Sequence, residues 1–157
     1  MTVLTDIEIQ NLVVERKVLK ENIREKMKFK PKLGHNEWEY SILGEAGSQF
    51  YIILRSNKQN PIDFSVILGY QIPKTNTTFR LCRYNGKSHE HTNKIEQQTF
   101  YDFHIHQATE RYQLLGMAED SYAEPTNKYS DMDKALESLL DDYGFIMPVN
   151  PQLKLWE

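Results

Sequence analysis

The chain predicts an α+β fold: an antiparallel β-meander of about four or five strands, with an N-terminal and a C-terminal helix packed on one face. Three observations predict it. Apolar residues recur at helical spacing near the start of the chain, the period drops to two between Phe50 and His106 with turn residues between the runs, and a capped apolar stripe returns near the C-terminus. At 157 residues and 39% hydrophobic, the sequence suits a single domain, 1–157, with a core large enough to fold alone.

Thr5 and Glu8 form a capping-box pattern in TDIE, and Ile9, Leu12, Leu19, Ile23 and Met27 share a stripe with Arg16, which predicts an N-terminal helix over about 5–28 that ends before Pro31. The sheet is expected over about 37–106. NEWEYSIL reads as a short first strand ahead of GEAG. Phe50, Ile52 and Leu54 alternate in the next, and Ile62, Phe64, Val66, Leu68 and Tyr70 in the one after. A further strand sets Phe79 and Leu81 against Arg80, Cys82 and Tyr84, and ends at Asn85-Gly86. In TFYDFHIH, Tyr101, Phe103 and Ile105 are assigned to the core, while Asp102, His104 and His106 face away from it. Residues 107–157 hold the C-terminal helices and tail: a short helix closed by Gly116, a tyrosine-rich loop, and a last helix capped by Ser130 with Asp133 as its N3 acid and Gly144 beyond its end. The tail FIMPVNPQLKLWE, with two prolines, is expected along the surface.

Formal net charge is −3 and the pI about 6.0, so no overall charge argues for nucleic-acid or membrane binding. The distribution is uneven: Glu15 to Lys32 holds eight Lys/Arg against three Glu, and Glu110 to Glu157 ten Asp/Glu against four Lys/Arg. The single Cys82 excludes an internal disulfide, and the opening MTVLTDIEIQ lacks the basic and apolar regions of a signal peptide. No apolar run approaches the ~18 residues a membrane span needs. A cytoplasmic protein without membrane contact is expected. Phosphate-binding glycine loops, G-x-S-x-G, Cys-x-x-Cys and H-E-x-x-H are all missing.

The chemistry concentrates in FRLCRYNGKSHEHTNKIEQQTFYDFHIH, where four of the five histidines form two His-x-His pairs. Residues i and i+2 of a strand point the same way about 7 Å apart along it, a spacing from which two imidazoles reach one metal ion. His104 and His106 have that spacing. His89 and His91 complete an all-nitrogen set if the intervening loop folds back, with Glu90, Asp102, Glu96 or Cys82 as substitutes. Zinc is the candidate cofactor, because imidazole suits it. A metal-free alternative uses His104 and His106 as acid and base on a phosphodiester, with Arg83 or Arg80 stabilising charge on phosphorus and Tyr84 or Lys87 placing the substrate.

RYNGKSHEHTNKIE, FHIHQATERYQ, YAEPTNKY and the AL-x-x-LL helix together resemble a family of small bacterial and mobile-element proteins of unknown function, over roughly Asp63 to Phe145. The Arg-Tyr-Asn step, the His-rich turn and the later His-x-His are also loosely similar to TumE-type toxins of toxin–antitoxin systems. That likeness carries over Arg83, Tyr84, Asn85, His89, His91, His104 and His106, and implies a toxin-like intracellular protein whose histidine cluster binds or acts on RNA or a nucleotide, with an antitoxin as partner. The alternative, from another class, is a non-enzymatic inhibitor that binds a host defence nuclease such as a CRISPR effector and uses zinc structurally. Its motives are the acidic C-terminal third and the lack of a complete catalytic signature.

Overall fold

The structure is a computed structural model and describes residues 2–147. Helix α1, Asp6–Val14, begins at the expected capping box: Thr5 Oγ1 accepts from the Glu8 amide, and the Glu8 carboxylate accepts from the Thr5 amide. The helix stops at Val14 rather than running on to about residue 28. Lys17 turns inward there, and its ammonium donates to the main-chain oxygens of Leu12, Val13, Glu15 and Tyr143 at 2.8–3.2 Å. This lysine is fully buried and satisfies carbonyls at the helix C-terminus, where positive charge is favoured. Strand β1, Lys17–Val18, then pairs in parallel with the distant Phe145–Ile146. A single turn, α2 (Ile23–Lys26), and the exposed strand β2 (Lys28–Pro31) follow. The apolar stripe still reaches the core through Ile9, Leu19 and Ile23, but from α1, the residue after β1 and α2 rather than from one helix. Helical spacing marked the right residues for burial and the wrong backbone.

The main meander comprises β3 (His35–Leu43), β4 (Gln49–Asn57), β5 (Phe64–Gln71) and β6 (Thr78–Asn85). A separate hairpin, β7 (His91–Asn93) and β8 (Gln98–Phe100), precedes β9 (His104–Gln107). Then come α3 (Glu110–Leu114), β10 (Tyr122–Pro125), α4 (Met132–Asp142) and β11 (Phe145–Ile146). The antiparallel sheet has seven strands in the order β10-β9-β6-β5-β4-β3-β2, against the four or five expected. The additional strands are its two edges. β2 is exposed throughout and β10 ends in Pro125, so neither carries the apolar alternation by which strands are recognised.

Cross-strand neighbours share a face, so the register separates the two sides. Ile52, Leu68 and Cys82 form one row of the core face, and Val66, Tyr84 and Ile105 another. Between Leu68 and Gly69 the β5–β6 register slips, leaving Leu81 as an extra residue. This bulge corrects the expected sides: Cys82 and Tyr84 join Phe79 and Leu81 in the core, while Arg80 keeps the opposite face and Arg83 joins it there. Tyr84 donates to Asp142, and its ring stacks on Tyr129 at 5.8 Å.

Helix α4 lies against β5 and β6 with Ala135, Leu136, Leu139 and Leu140 buried, and Ile9 of α1 joins the same core cluster. The N-cap of α4 is Asp131, which accepts from the Lys134 amide at 2.8 Å, one residue later than the expected Ser130. Gly144 ends the helix at φ 74°, with the place its Cβ would take only 2.9 Å from the Glu15 oxygen. Beyond Met147 the expected surface course of the tail lies outside the described residues. No helix among the described residues is long and apolar enough to cross a membrane.

Candidate metal centre

One row of the non-core face runs Ile67, Arg83, His106, Ala123 across β5, β6, β9 and β10, and the next runs Ser65, Asn85, His104, Pro125. His104 and His106 therefore share the face opposite the core, as the strand spacing predicts. Exposure does not follow. They are 0% and 4% exposed, because the β7–β8 hairpin folds over them. Asn93 docks that hairpin on the sheet edge: its Nδ2 donates to the Ala123 oxygen at 2.7 Å, and its Oδ1 accepts from the Ala123 amide at 2.9 Å. The turn of the hairpin is held as well, by the Ile95 amide donating to the Tyr112 hydroxyl at 3.2 Å. The same fold-back overturns one side assignment in TFYDFHIH, that of Tyr101. Strand β8 ends at Phe100, so Tyr101 is exposed rather than in the core, and Phe100 packs on the rings of His91 and His104 at 5.4 and 5.7 Å.

Docking of the hairpin brings His91 to the β9 pair. Ring centroids lie 5.5 Å apart for His91–His104, 4.8 Å for His91–His106 and 5.0 Å for His104–His106. One nitrogen of each comes within 4.8 Å of the other two. Three nitrogens around one zinc at about 2.1 Å would be ~3.4 Å apart, so ring rotations of about an ångström close the set.

The hydrogen bonds say which nitrogens are available. His104 Nδ1 donates to the Asp102 main-chain oxygen and His106 Nδ1 to that of Asp120, both at 2.7 Å. With the proton fixed on Nδ1, each ring keeps its lone pair on Nε2. Both Nε2 atoms are buried and have no hydrogen-bond partner. His91 Nε2 lies 2.8 Å from Asn93 Oδ1. Since that oxygen can only accept, Nε2 carries the proton and Nδ1 is the free lone pair. Three buried or half-buried imidazoles thus keep one free lone pair each within a cluster whose ligand atoms lie within 4.8 Å of one another, a donor set that could hold a metal ion. Burial pulls the His104 pKa down to about 4, with His91, His89 and Arg83 adding to the effect. Burial takes that of His106 to about 2, with the Arg83 guanidinium as the next cause. Neutral imidazole is the form that binds metal.

The fourth expected ligand does not join. His89 stays near Ser88, 3.3 Å from its hydroxyl, and meets the His104 ring only edge-on at 5.8 Å. Of the substitutes, Cys82 is sealed on the far side of the sheet with its thiol pKa pushed up by burial, and Glu96 is engaged by Tyr112 and Arg111. Tyr84 is likewise on the core face, with burial pushing its pKa up, and is separated by the sheet from the histidines.

Arg83 is where a site residue is wanted, beside His106 in the ladder. The centre opens on a cleft of about 570 Å³ whose walls include His91, His106, Arg80, Arg83 and Lys94. Asp120, 2% exposed, sits between the arginines: its Oδ1 is 3.3 Å from Arg80 and its Oδ2 3.3 Å from Arg83 Nε. Burial raises its pKa against the pull of the two guanidiniums. Glu119 also pairs with Arg80. Asp120 and Asn93 are the residues sequence reading missed. Asn93 carried a usable signal, two positions beyond His91 and hence on the same side of an extended segment; Asp120 carried none, because its role depends on a fold-back from β10. The chain matches no protein-family model, and no curated protein or solved structure shows significant similarity to it.

Proposed function

We propose that this chain is a toxin-like zinc protein that acts on the phosphate of RNA or a nucleotide, with zinc held by His91, His104 and His106. One observation carries the reading: the two buried, unpartnered Nε2 atoms of His104 and His106 converge with His91 at the wall of a cleft that also holds Arg80 and Arg83. Structural zinc sites are closed by four protein ligands, whereas hydrolytic sites use three and leave a position open. Three histidines meet here, two of them in the cleft wall. Bound there, zinc would supply Lewis acidity to a phosphoryl oxygen and to water. The chain's own residues supply the rest. The Asp102 and Asp120 carbonyls hold two ligand tautomers, Arg83 and Arg80 offer positive charge to a phosphate, and the hairpin excludes water from the rear of the site.

The test is elemental analysis of the purified protein, followed by hydrolysis assays on RNA and on a small phosphodiester reporter and by growth inhibition on expression. About one zinc per chain is expected, lost together with hydrolysis and toxicity in His104→Ala/His106→Ala. Because both of those histidines are buried, His91→Ala on the hairpin serves as the variant least able to unfold the core. Zinc-free protein, or a folded His91→Ala variant as active as the wild type, would sink the reading.

The near-complete burial of His104 and His106 favours a second reading, a structural zinc in a non-enzymatic module that binds a defence nuclease or an antitoxin. Stoichiometric inhibition of such a partner without any hydrolysis would select it.

A further inference from the structure

A phosphate-bearing ligand of the cleft is either a polynucleotide strand or a small molecule. The distribution of charge decides between them. A strand binder needs a continuous positive track that follows several phosphates, usually with aromatic platforms along it. Here the positive charge beside the metal centre is compact. Arg80 and Arg83 share Asp120, and Arg80 is further neutralised by Glu119. Lys94 lines the same cleft, and among the described residues no carboxylate pairs with it. Neighbouring cations that could extend a track have local partners: Arg111 is 2.7 Å from Glu96, and Arg55, in the Ser65 row of the same face, is 2.9 Å from Glu37.

The basic segment from Arg16 to Lys32 cannot supply the track either. Its strand β2, with Lys28 and Lys30, is the opposite edge of the sheet, five strand positions from β9 in the order β9-β6-β5-β4-β3-β2. At ~4.8 Å per strand that is about 24 Å from the histidines. The cleft itself, about 570 Å³, matches one nucleotide in size, since pockets for small ligands run from ~300 to ~1,000 Å³. Met117 and Ala118 give it an apolar stretch of wall against which a base or ribose can pack.

Resting on the zinc reading, we propose that the cleft takes one nucleotide-sized phosphate ester, its phosphate seated by Arg83 and Lys94 in front of His91 and His106, and does not accommodate a polynucleotide strand. Recognition is by a single phosphate and one flanking nucleoside.

Calorimetric titration of the zinc-loaded full chain tests this, using each of the four ribonucleoside 5′-monophosphates and a short single-stranded RNA at low and moderate salt. At least one monophosphate is expected to bind one per chain, with affinity falling at least tenfold in Lys94→Ala. The RNA should bind no tighter than that monophosphate. The slope of log affinity against log salt should be about −1 or shallower, the value for one neutralised phosphate. RNA binding tenfold tighter, with a slope of about −3 or steeper, would make the protein a strand binder and overturn the proposal. Monophosphate binding untouched by Lys94→Ala overturns the seat. Retained zinc with no monophosphate binding overturns this inference alone; failure to retain zinc overturns the metal reading with it.

Discussion

His106 donates its Nδ1 hydrogen to the main-chain oxygen of Asp120, and that bond leaves its lone pair on Nε2, in a ring that packs against both His91 and His104. Sequence reading reached His104 and His106 because the two-residue period of a strand dictates that they share a side. It could not choose between His89 and His91, since in a loop neither has a defined direction. The buried pair gives a pH dependence for the metal-free protein. In the fold, His104 stays neutral down to about pH 4 and His106 to about pH 2, whereas both protonate near 6.5 in the unfolded chain. Their folded pKa values are depressed, so the unfolded chain binds more protons below 6.5, and their contribution is present above that pH and lost as pH falls. With two such groups the slope approaches about 2.7 kcal/mol per pH unit between roughly pH 6 and pH 4. Urea unfolding of chelator-treated protein on either side of pH 6.5 measures it. Equal midpoints would mean that the two imidazoles ionise alike in both states.

At the scale of elements, the site is an assembly of β9 and the β7–β8 hairpin joined by one side chain. Asn93, fully buried, holds both main-chain groups of Ala123 and the Nε2 hydrogen of His91. Removing it strands buried polar groups, each costing about 1–3 kcal/mol. It also frees the tautomer of His91, and loss of such support at a metal ligand typically weakens metal binding by about 10–100-fold. Asn93→Ala is therefore expected to lower stability by about 2 kcal/mol or more and zinc affinity by at least about tenfold, read by urea unfolding and by competition with a chromophoric chelator. Zinc affinity equal to the wild type's would show that the hairpin keeps His91 in place without it. Among the other elements, strands with clean apolar alternation were legible, β4 and β5 above all. The β6 bulge was not, because an extra residue is a property of the pairing with β5 rather than of either strand.

For the whole molecule, an ion held by His91, His104 and His106 would tie the seven-stranded sheet to the hairpin docked over it. Since the three histidines come together only in the folded chain, zinc is expected to bind the native state and to raise its stability. At a free zinc concentration ~100 times the dissociation constant, the gain is about 2.7 kcal/mol. Thermal unfolding with and without zinc checks it, and His91→Ala should erase the difference. An unchanged midpoint would mean that the three rings hold no ion.

The sequence by itself determined the alternating core of the meander, the capping box of α1, the apolar face of α4, and the shared side of His104 and His106. Each follows from the period of a single element, or from groups a few residues apart. Tertiary structure decided the rest. Parallel pairing of Lys17–Val18 with Phe145–Ile146 ended the first helix early, the bulge turned Tyr84 away from the site, and the docked hairpin buried two histidines and selected His91 over His89. These outcomes depend on hydrogen bonds and packing between segments far apart in the chain, and no local period records them.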